Sequence, residues 1–345
     1  MATKPKANVV QFTTRRSLEG EEERQVGLPP VAGSTPTAAP AVTAIDLSGK
    51  PKVWFAIGPG RSGKTTMLRW ASEISANRGS YPITAAADPQ NRSLKNYIEN
   101  VAEPPTNDAA ATARWLEALL RHVMNEKAAV RSALVDLGGG DTSLQKLLAT
   151  LPTLASDMAS AGVTPVAVYA LGPRVDDLAS LASFEVLGFR PEAIVLVRNE
   201  GLADAMIDRE DAFARVTRHS AYRAAVARGA VEVWMPRLDA TVAQELEARR
   251  LGFTQARDAV SPDGRKIVPL GPFDRARVRA WLDAMNTDPL TIHGTRVDAV
   301  KGLVDLMVLV AEQQVIAAGI ERSHRSGLWL IYAVSRLPAV VPASF

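Results

Sequence analysis

The chain has 345 residues, 47% of them hydrophobic and 22% charged, which is enough to bury one large core with an appendage. Forty basic residues against 37 acidic ones leave a net charge of +3, too balanced for a protein held to polyanions by a charged tail. The absence of cysteine removes disulfide frameworks, zinc fingers, iron–sulfur clusters and thiol nucleophiles. The histidines His122, His219, His293 and His324 lie too far apart for a HExxH-type metal pair.

In chain order, residues 1–50 read as a tail. Met1 to Gln25 is polar and lacks the apolar core of a signal peptide, and Gly27 to Val42 is rich in Pro, Ala, Gly, Ser and Thr. Such a stretch buries too little apolar area to offset the entropy of ordering it, so a disordered, solvated extension is favoured over a partner-binding arm. From Lys52 onward, short apolar runs bounded by Gly, Pro and Asp alternate with helical patterns. Strands are predicted at Lys52–Ile57, Pro82–Ala86, Ala133–Leu137, Pro165–Leu171, Ala193–Arg198 and Val231–Met235. Helices are predicted at 64–77, 108–130, 143–161, 175–187, 209–228 and 240–251, with a closing helix over Arg275–Met285. Near-continuous apolar strands alternating with helices specify an α/β fold, a mostly parallel sheet with helices on both faces.

Beyond this domain, Val297–Ile320 reads as a long helix apolar on nearly all sides, followed by the apolar run Leu328-Trp329-Leu330-Ile331-Tyr332. This C-terminal helical extension is expected to be buried against the chain or a second copy, in preference to a membrane surface. The expected divisions are 1–50, 51–287 and 288–345. No uninterrupted apolar run reaches the ~18 residues of a spanning helix, so a soluble, cytoplasmic protein is expected.

The sharpest motif is Gly58-Pro59-Gly60-Arg61-Ser62-Gly63-Lys64-Thr65, which satisfies GxxxxGK[ST] between an apolar strand and a helix beginning near Thr66. Glycines at Gly58, Gly60 and Gly63 let the backbone wrap an anion, so that successive N–H groups and the helix N-terminus converge on phosphates. Lys64 is placed to reach the β- and γ-phosphates, and the Thr65 hydroxyl to ligate Mg²⁺. Ala133-Leu134-Val135-Asp136 is an apolar strand ending in a carboxylate, and Asp136 is expected to hold Mg²⁺ through a water. Behind it, Gly139 or Gly140 of Leu137-Gly138-Gly139-Gly140-Asp141 is expected to offer an N–H to a γ-phosphate and move when that phosphate leaves.

After the second strand, Ala86-Ala87-Asp88-Pro89-Gln90-Asn91 resembles the DxDPQGN switch segment of ParA/MinD-type P-loop ATPases. That resemblance implies a catalytic set of Lys64, Asp88 and Asp136, with Asp88 orienting the attacking water. Ala86 stands where the family carries its first acidic residue. Val195–Asn199 is similar to the family strand whose terminal Asn reads adenine, which implies that role for Asn199, and Val233–Arg237 is similar to the segment whose backbone flanks the base at Pro236. The resemblance covers roughly residues 52–287 and implies ATP and Mg²⁺ as ligands and a homodimer formed with ATP.

One departure stands out. The family's loop carries a signature lysine that crosses to the partner's nucleotide; its place here is Pro59, and Arg61 takes the place of the second glycine. Either the cross-dimer contact is lost or Arg61 replaces it, against the plain alternative of a solvated loop residue. The resemblance further implies an ATPase, slow and stimulated by a partner protein, that positions or segregates plasmid DNA or a conjugative transfer complex in the bacterial cytoplasm or on the nucleoid. Arg249, Arg250, Arg265, Lys266, Arg275, Arg277 and Arg279 are the candidates for non-specific DNA contact, though Asp258, Asp263 and Asp274 among them also fit an ordinary solvated face. The competing readings are a metabolic P-loop kinase or ligase and a nucleotide-binding scaffold with little hydrolysis.

Overall fold

The computed structural model describes residues 50–77, 79–87, 94–125, 131–140, 142–261, 264–287, 291–292 and 295–296. Six strands form one parallel sheet: β1 Lys52–Ile57, β2 Ile83–Ala86, β3 Ala133–Asp136, β4 Thr164–Leu171, β5 Ala193–Asn199 and β6 Val231–Met235. Their spatial order is β2-β3-β1-β4-β5-β6. The helices are α1 Lys64–Asn77, α2 Ala109–Met124, α3 Ser143–Thr150, α4 Leu154–Ser160 and α5 Ala179–Val186, then α6 Arg209–Arg218, α7 Ser220–Ala227, α8 Ala240–Ala248, α9 Phe253–Asp258 and α10 Pro272–Thr287. Two short strands, β7 Thr291–Ile292 and β8 Thr295–Arg296, pair antiparallel after α10.

Alternation along β1 sets the two layers. Val53, Phe55 and Ile57 enter one core with α2 to α7, while Trp54 and Ala56 enter the other with α1, α8, α9 and α10. The path explains which helix lies where. The chain steps from β1 outward past β3 to β2 with α1 on one face. Every later step between strands runs back across the sheet, with its helices on the opposite face. Right-handed crossovers require that exchange of faces whenever the direction reverses. All six strands therefore end at one edge, and the loops after β1, β3, β5 and β6 emerge side by side, where ligands bind in open parallel sheets.

The strands follow the sequence closely, and the long predicted helices are interrupted. The helix expected over 143–161 breaks into α3 and α4 at Leu151-Pro152, because a proline disfavours helical geometry in the residue before it and Leu151 sits at φ −129°, ψ 72°. The helix expected over 209–228 breaks at His219, whose extended backbone lets Nδ1 accept from the Ala221 N–H and cap α7. The helix expected over 175–187 opens as a 3-10 turn over Val175–Leu178, and α9 lies where the sequence predicts no helix.

Helix α9 is anchored by α1. The half-buried Glu73 carboxylate accepts from the N–H groups of Phe253 and Thr254, at 2.9 Å each. One turn earlier, the Arg69 guanidinium stacks over the Tyr97 ring at 3.3 Å and donates to the Leu251 carbonyl. Residues 1–49, the apolar segments at 297–320 and 328–332, the segment Asp88–Asn91, and Asp141 lie outside the described residues. No helix among the described residues is long and apolar enough to cross a membrane.

Candidate nucleotide site

The loop from Gly58 to Gly63 joins β1 to α1, and Lys64, Thr65 and Thr66 form the first turn of that helix. Its shape depends on Gly63, which has φ +97°; a Cβ there would lie 2.4 Å from the Asn199 Nδ2. Lys64 is buried and its ammonium donates to the carbonyls of Gly58 and Pro59 at 2.9 Å each, so the side chain lies back along the arch.

The register of β1 and β3 sets Ala56 opposite Asp136, which brings the Asp136 carboxylate to the helix side of the loop. There the Thr65 Oγ1 donates to the Asp136 Oδ2 at 2.8 Å. The two residues assigned to Mg²⁺ from sequence are thus adjacent. A hydroxyl and a single carboxylate suit an ion that keeps most of its waters and takes phosphate oxygens for the rest. Magnesium at that point would neutralise charge on the phosphates. Among the described residues no group of three or more acidic, His or Cys side chains could hold a metal. The Ala87 N–H donates to the Asp136 carbonyl at 2.9 Å, which carries the pairing of β2 with β3 one residue further.

Gly139 rests directly on the phosphate loop: a Cβ at Gly139 would lie 2.2 Å from the Gly60 nitrogen, whereas one at Gly140 would meet nothing within 4 Å. Beside this contact, a cavity of about 120 Å³ is lined in part by Gly58, Gly138, Gly139, Thr142, Gln145 and Ser180.

Asn199 and Pro236, assigned to the base, are occupied by contacts within the protein. The Asn199 amide donates to the Ser62 carbonyl at 2.9 Å, and its oxygen accepts from the Gly201 N–H at 2.9 Å. The Pro236 carbonyl accepts from the Trp281 Nε1 at 2.9 Å. Neither Trp281 nor the link from Arg237 to the Ala203 carbonyl was singled out in sequence, because each joins segments far apart in the chain.

Arg61 is exposed and adopts the left-handed conformation, φ +63°. For a residue with a Cβ that conformation costs on the order of 1 kcal/mol. No described residue pairs with its guanidinium. The C-terminal basic residues are more dispersed: Arg249 donates to the carbonyls of Val268 and Pro269, and Arg277 pairs with Asp274 at 2.8 Å and Asp239 at 3.7 Å. Arg250, Arg265, Lys266 and Arg279 are exposed, and Arg275 is half-buried.

A parallel sheet whose first strand runs through a glycine arch into a helix, with a threonine hydroxyl against the carboxylate of the adjacent strand, is a P-loop NTPase fold. Among solved structures, the chain is similar to McdA of Cyanothece in complex with ATP, at 14% identity over 69% of this chain and 96% of that one, with a TM-score of 0.38. It is similar to the MinD cell division protein of Aquifex aeolicus, at 12% identity over 68% and 97%, TM-score 0.34. It is also similar to chloroplast FtsY of Physcomitrella patens, at 14% identity over 52% and 69%, TM-score 0.33. No protein-family model matches the sequence, and no curated protein matches it.

Proposed function

We propose that this chain is an ATP-hydrolysing switch of the ParA/MinD type, which pairs with a second copy when ATP is bound and separates after hydrolysis. The observation that carries the reading is the contact of Thr65 with Asp136 at 2.8 Å, at the start of the helix that follows the loop: it groups the hydroxyl and carboxylate that a magnesium nucleotide needs. In this reading Lys64 turns from the carbonyls of Gly58 and Pro59 onto the phosphates. The N–H groups from Gly60 to Thr66 hold the phosphate oxygens, and Gly139 or Gly140 closes on the γ-phosphate. Asp88 orients water for in-line attack on the γ-phosphorus; the bond to the β–γ bridging oxygen breaks and the released phosphate frees the Gly138–Gly140 loop.

The likeness of Ala86–Asn91 to a water-activating switch segment supports water as the acceptor over a metabolite. The output is then timed association, with plasmid DNA or a conjugative transfer complex as cargo. Arg250, Arg265, Lys266 and Arg279 supply the exposed charge for non-specific DNA contact, at an affinity that falls steeply with salt. Residues 51–287 form the ATPase domain, with 1–50 as a tail and 288–345 as a helical extension.

The test is the light-scattering mass of the full chain with ATP, with ADP and without nucleotide, using Asp88→Ala to retain ATP. A dimer seen only with ATP supports the switch. One mass in all three conditions overturns it in favour of a metabolic enzyme or a constitutive scaffold.

A further inference from the structure

We infer that the exposed strip from Val268 to Phe273, with the cations around it, is a binding surface for single-stranded DNA. The inference rests on the DNA contact proposed above and names the form of DNA; it requires neither bound nucleotide nor a second copy of the chain.

Two large apolar side chains here are left in water. Phe273 is 78% exposed and Val268 is 76% exposed, and Pro269 and Pro272 between them are exposed as well. A single exposed apolar residue is ordinary, but a run that includes a phenyl ring marks a surface with a use. Local bonds hold the strip in place. The Arg249 guanidinium, at the end of α8, donates to the carbonyls of Val268 and Pro269, and the Arg275 N–H donates to the Gly271 carbonyl at 3.0 Å. Just before the strip, Val260 pairs with Lys266 across an antiparallel turn in which the Ser261 N–H donates to the Arg265 carbonyl at 2.8 Å. Arg265 and Lys266, both exposed, therefore lead directly into it.

Charge completes the pattern. Asp258 on α9 is bonded to Arg257 through both oxygens at 2.7 Å, and Asp274 on α10 to Arg277 at 2.8 Å. These carboxylates are neutralised within the protein, whereas no described carboxylate pairs with Arg250 or Lys266. Arg250 also holds φ +49° just beyond the cap of α8, where glycine is the usual residue. An exposed cation kept there against a conformational cost fits a functional surface. A ring beside cations is the complement of an unpaired nucleic-acid strand: the cations take phosphates and the ring takes the face of a base. A duplex keeps its base faces stacked on one another and leaves Phe273 nothing to stack on.

The experiment titrates the full chain, without nucleotide, against a fluorescent oligothymidylate of about 20 nucleotides, longer than the ~4–16 that one single-strand module covers, and against a duplex of the same length. Wild type is expected to bind the single strand more tightly than the duplex at equal salt. Phe273→Ala is expected to weaken single-strand binding about tenfold or more and to leave duplex binding unchanged, because only an unpaired base loses its stacking partner. Phe273→Trp keeps a ring and stays close to wild type. Lys266→Gln weakens both ligands alike, since a phosphate contact does not depend on strand form. Equal single-strand affinity of wild type and Phe273→Ala overturns the inference, as does a wild-type preference for the duplex. Tighter binding of an oligouridylate points to RNA, and equal binding of polyglutamate points to an acidic protein segment; either overturns single-stranded DNA as the ligand. Absence of binding to every ligand overturns it too, and removes DNA as the cargo of the switch. The ATP-dependent mass change that tests the switch is read separately, so the failure of one leaves the other standing.

Discussion

Asn199 donates its amide to the carbonyl of Ser62 at 2.9 Å and so ties the end of β5 to the phosphate loop after β1, with β4 lying between them. The same side chain accepts from the Gly201 N–H, and its nitrogen fills the space that a Cβ on Gly63 would need. One amide thus joins the loop after β1 to the turn after β5. A side chain that the family resemblance assigns to the base is, in the folded chain, the post against which the arch is set.

Replacing Asn199 by Ala removes the donor from a carbonyl on a residue that is 1% exposed. A buried polar group left without its partner costs about 1–3 kcal/mol. The expected outcome is a loss of that size in urea denaturation, with weaker ATP binding because the arch is no longer held. Unchanged stability together with unchanged ATP affinity in Asn199→Ala would show the link to be incidental.

Gly139 and Gly140 are neighbours with opposite surroundings. Gly139→Ala places a methyl 2.2 Å from the Gly60 nitrogen, and neither piece of backbone can yield by a rotamer change. Gly140→Ala places one in open space. Gly139→Ala is therefore expected to lose about 1–3 kcal/mol of stability, the usual cost of overpacking, and to lose ATP hydrolysis, whereas Gly140→Ala keeps its stability within about 0.5 kcal/mol. Denaturation and turnover of the two variants in parallel check this, and equal behaviour of the pair would refute it.

Glu73 connects stability to pH. Burial holds its carboxyl above the ordinary value of 4.5, and the N–H groups of Thr254 and Phe253 offset part of that shift. A carboxyl with a raised pKa binds its proton more tightly in the folded chain than in the unfolded one. Its contribution is complete below the ordinary value and is lost as pH rises through the raised one. Wild type is expected to lose stability relative to Glu73→Gln over that window, because Gln carries no charge at any pH. Urea denaturation of both proteins from pH 4.5 upward measures the difference; curves that stay parallel would contradict it.

Much of the fold is legible in the sequence, for local reasons. Lys52–Ile57 and Val231–Met235 coincide with β1 and β6, because a short, mostly apolar run between turn residues suits a strand. The GxxxxGK[ST] spacing places the loop, and α1 spans the predicted 64–77. Helix interruptions were less legible: His219 carries no helix-breaking signature, and its cap becomes visible only once α6 and α7 are seen to pack separately. Short α9 escaped because what holds it is the Glu73 carboxylate, from a helix roughly 180 residues earlier in the chain.

What the sequence determined by itself was the parallel α/β class and the residue types at the phosphate loop, since strand alternation, glycine spacing and the Lys64-Thr65 pair are properties of neighbouring residues. The tertiary structure decided which distant groups meet. The strand order set Asp136 beside Thr65, turned Asn199 onto Ser62 and Trp281 onto Pro236, and pressed Gly139 against Gly60. The physical reason is that a hydrogen bond or close contact depends on separation in space, and a sheet that inserts β1 between β3 and β4 creates separations that chain order does not contain.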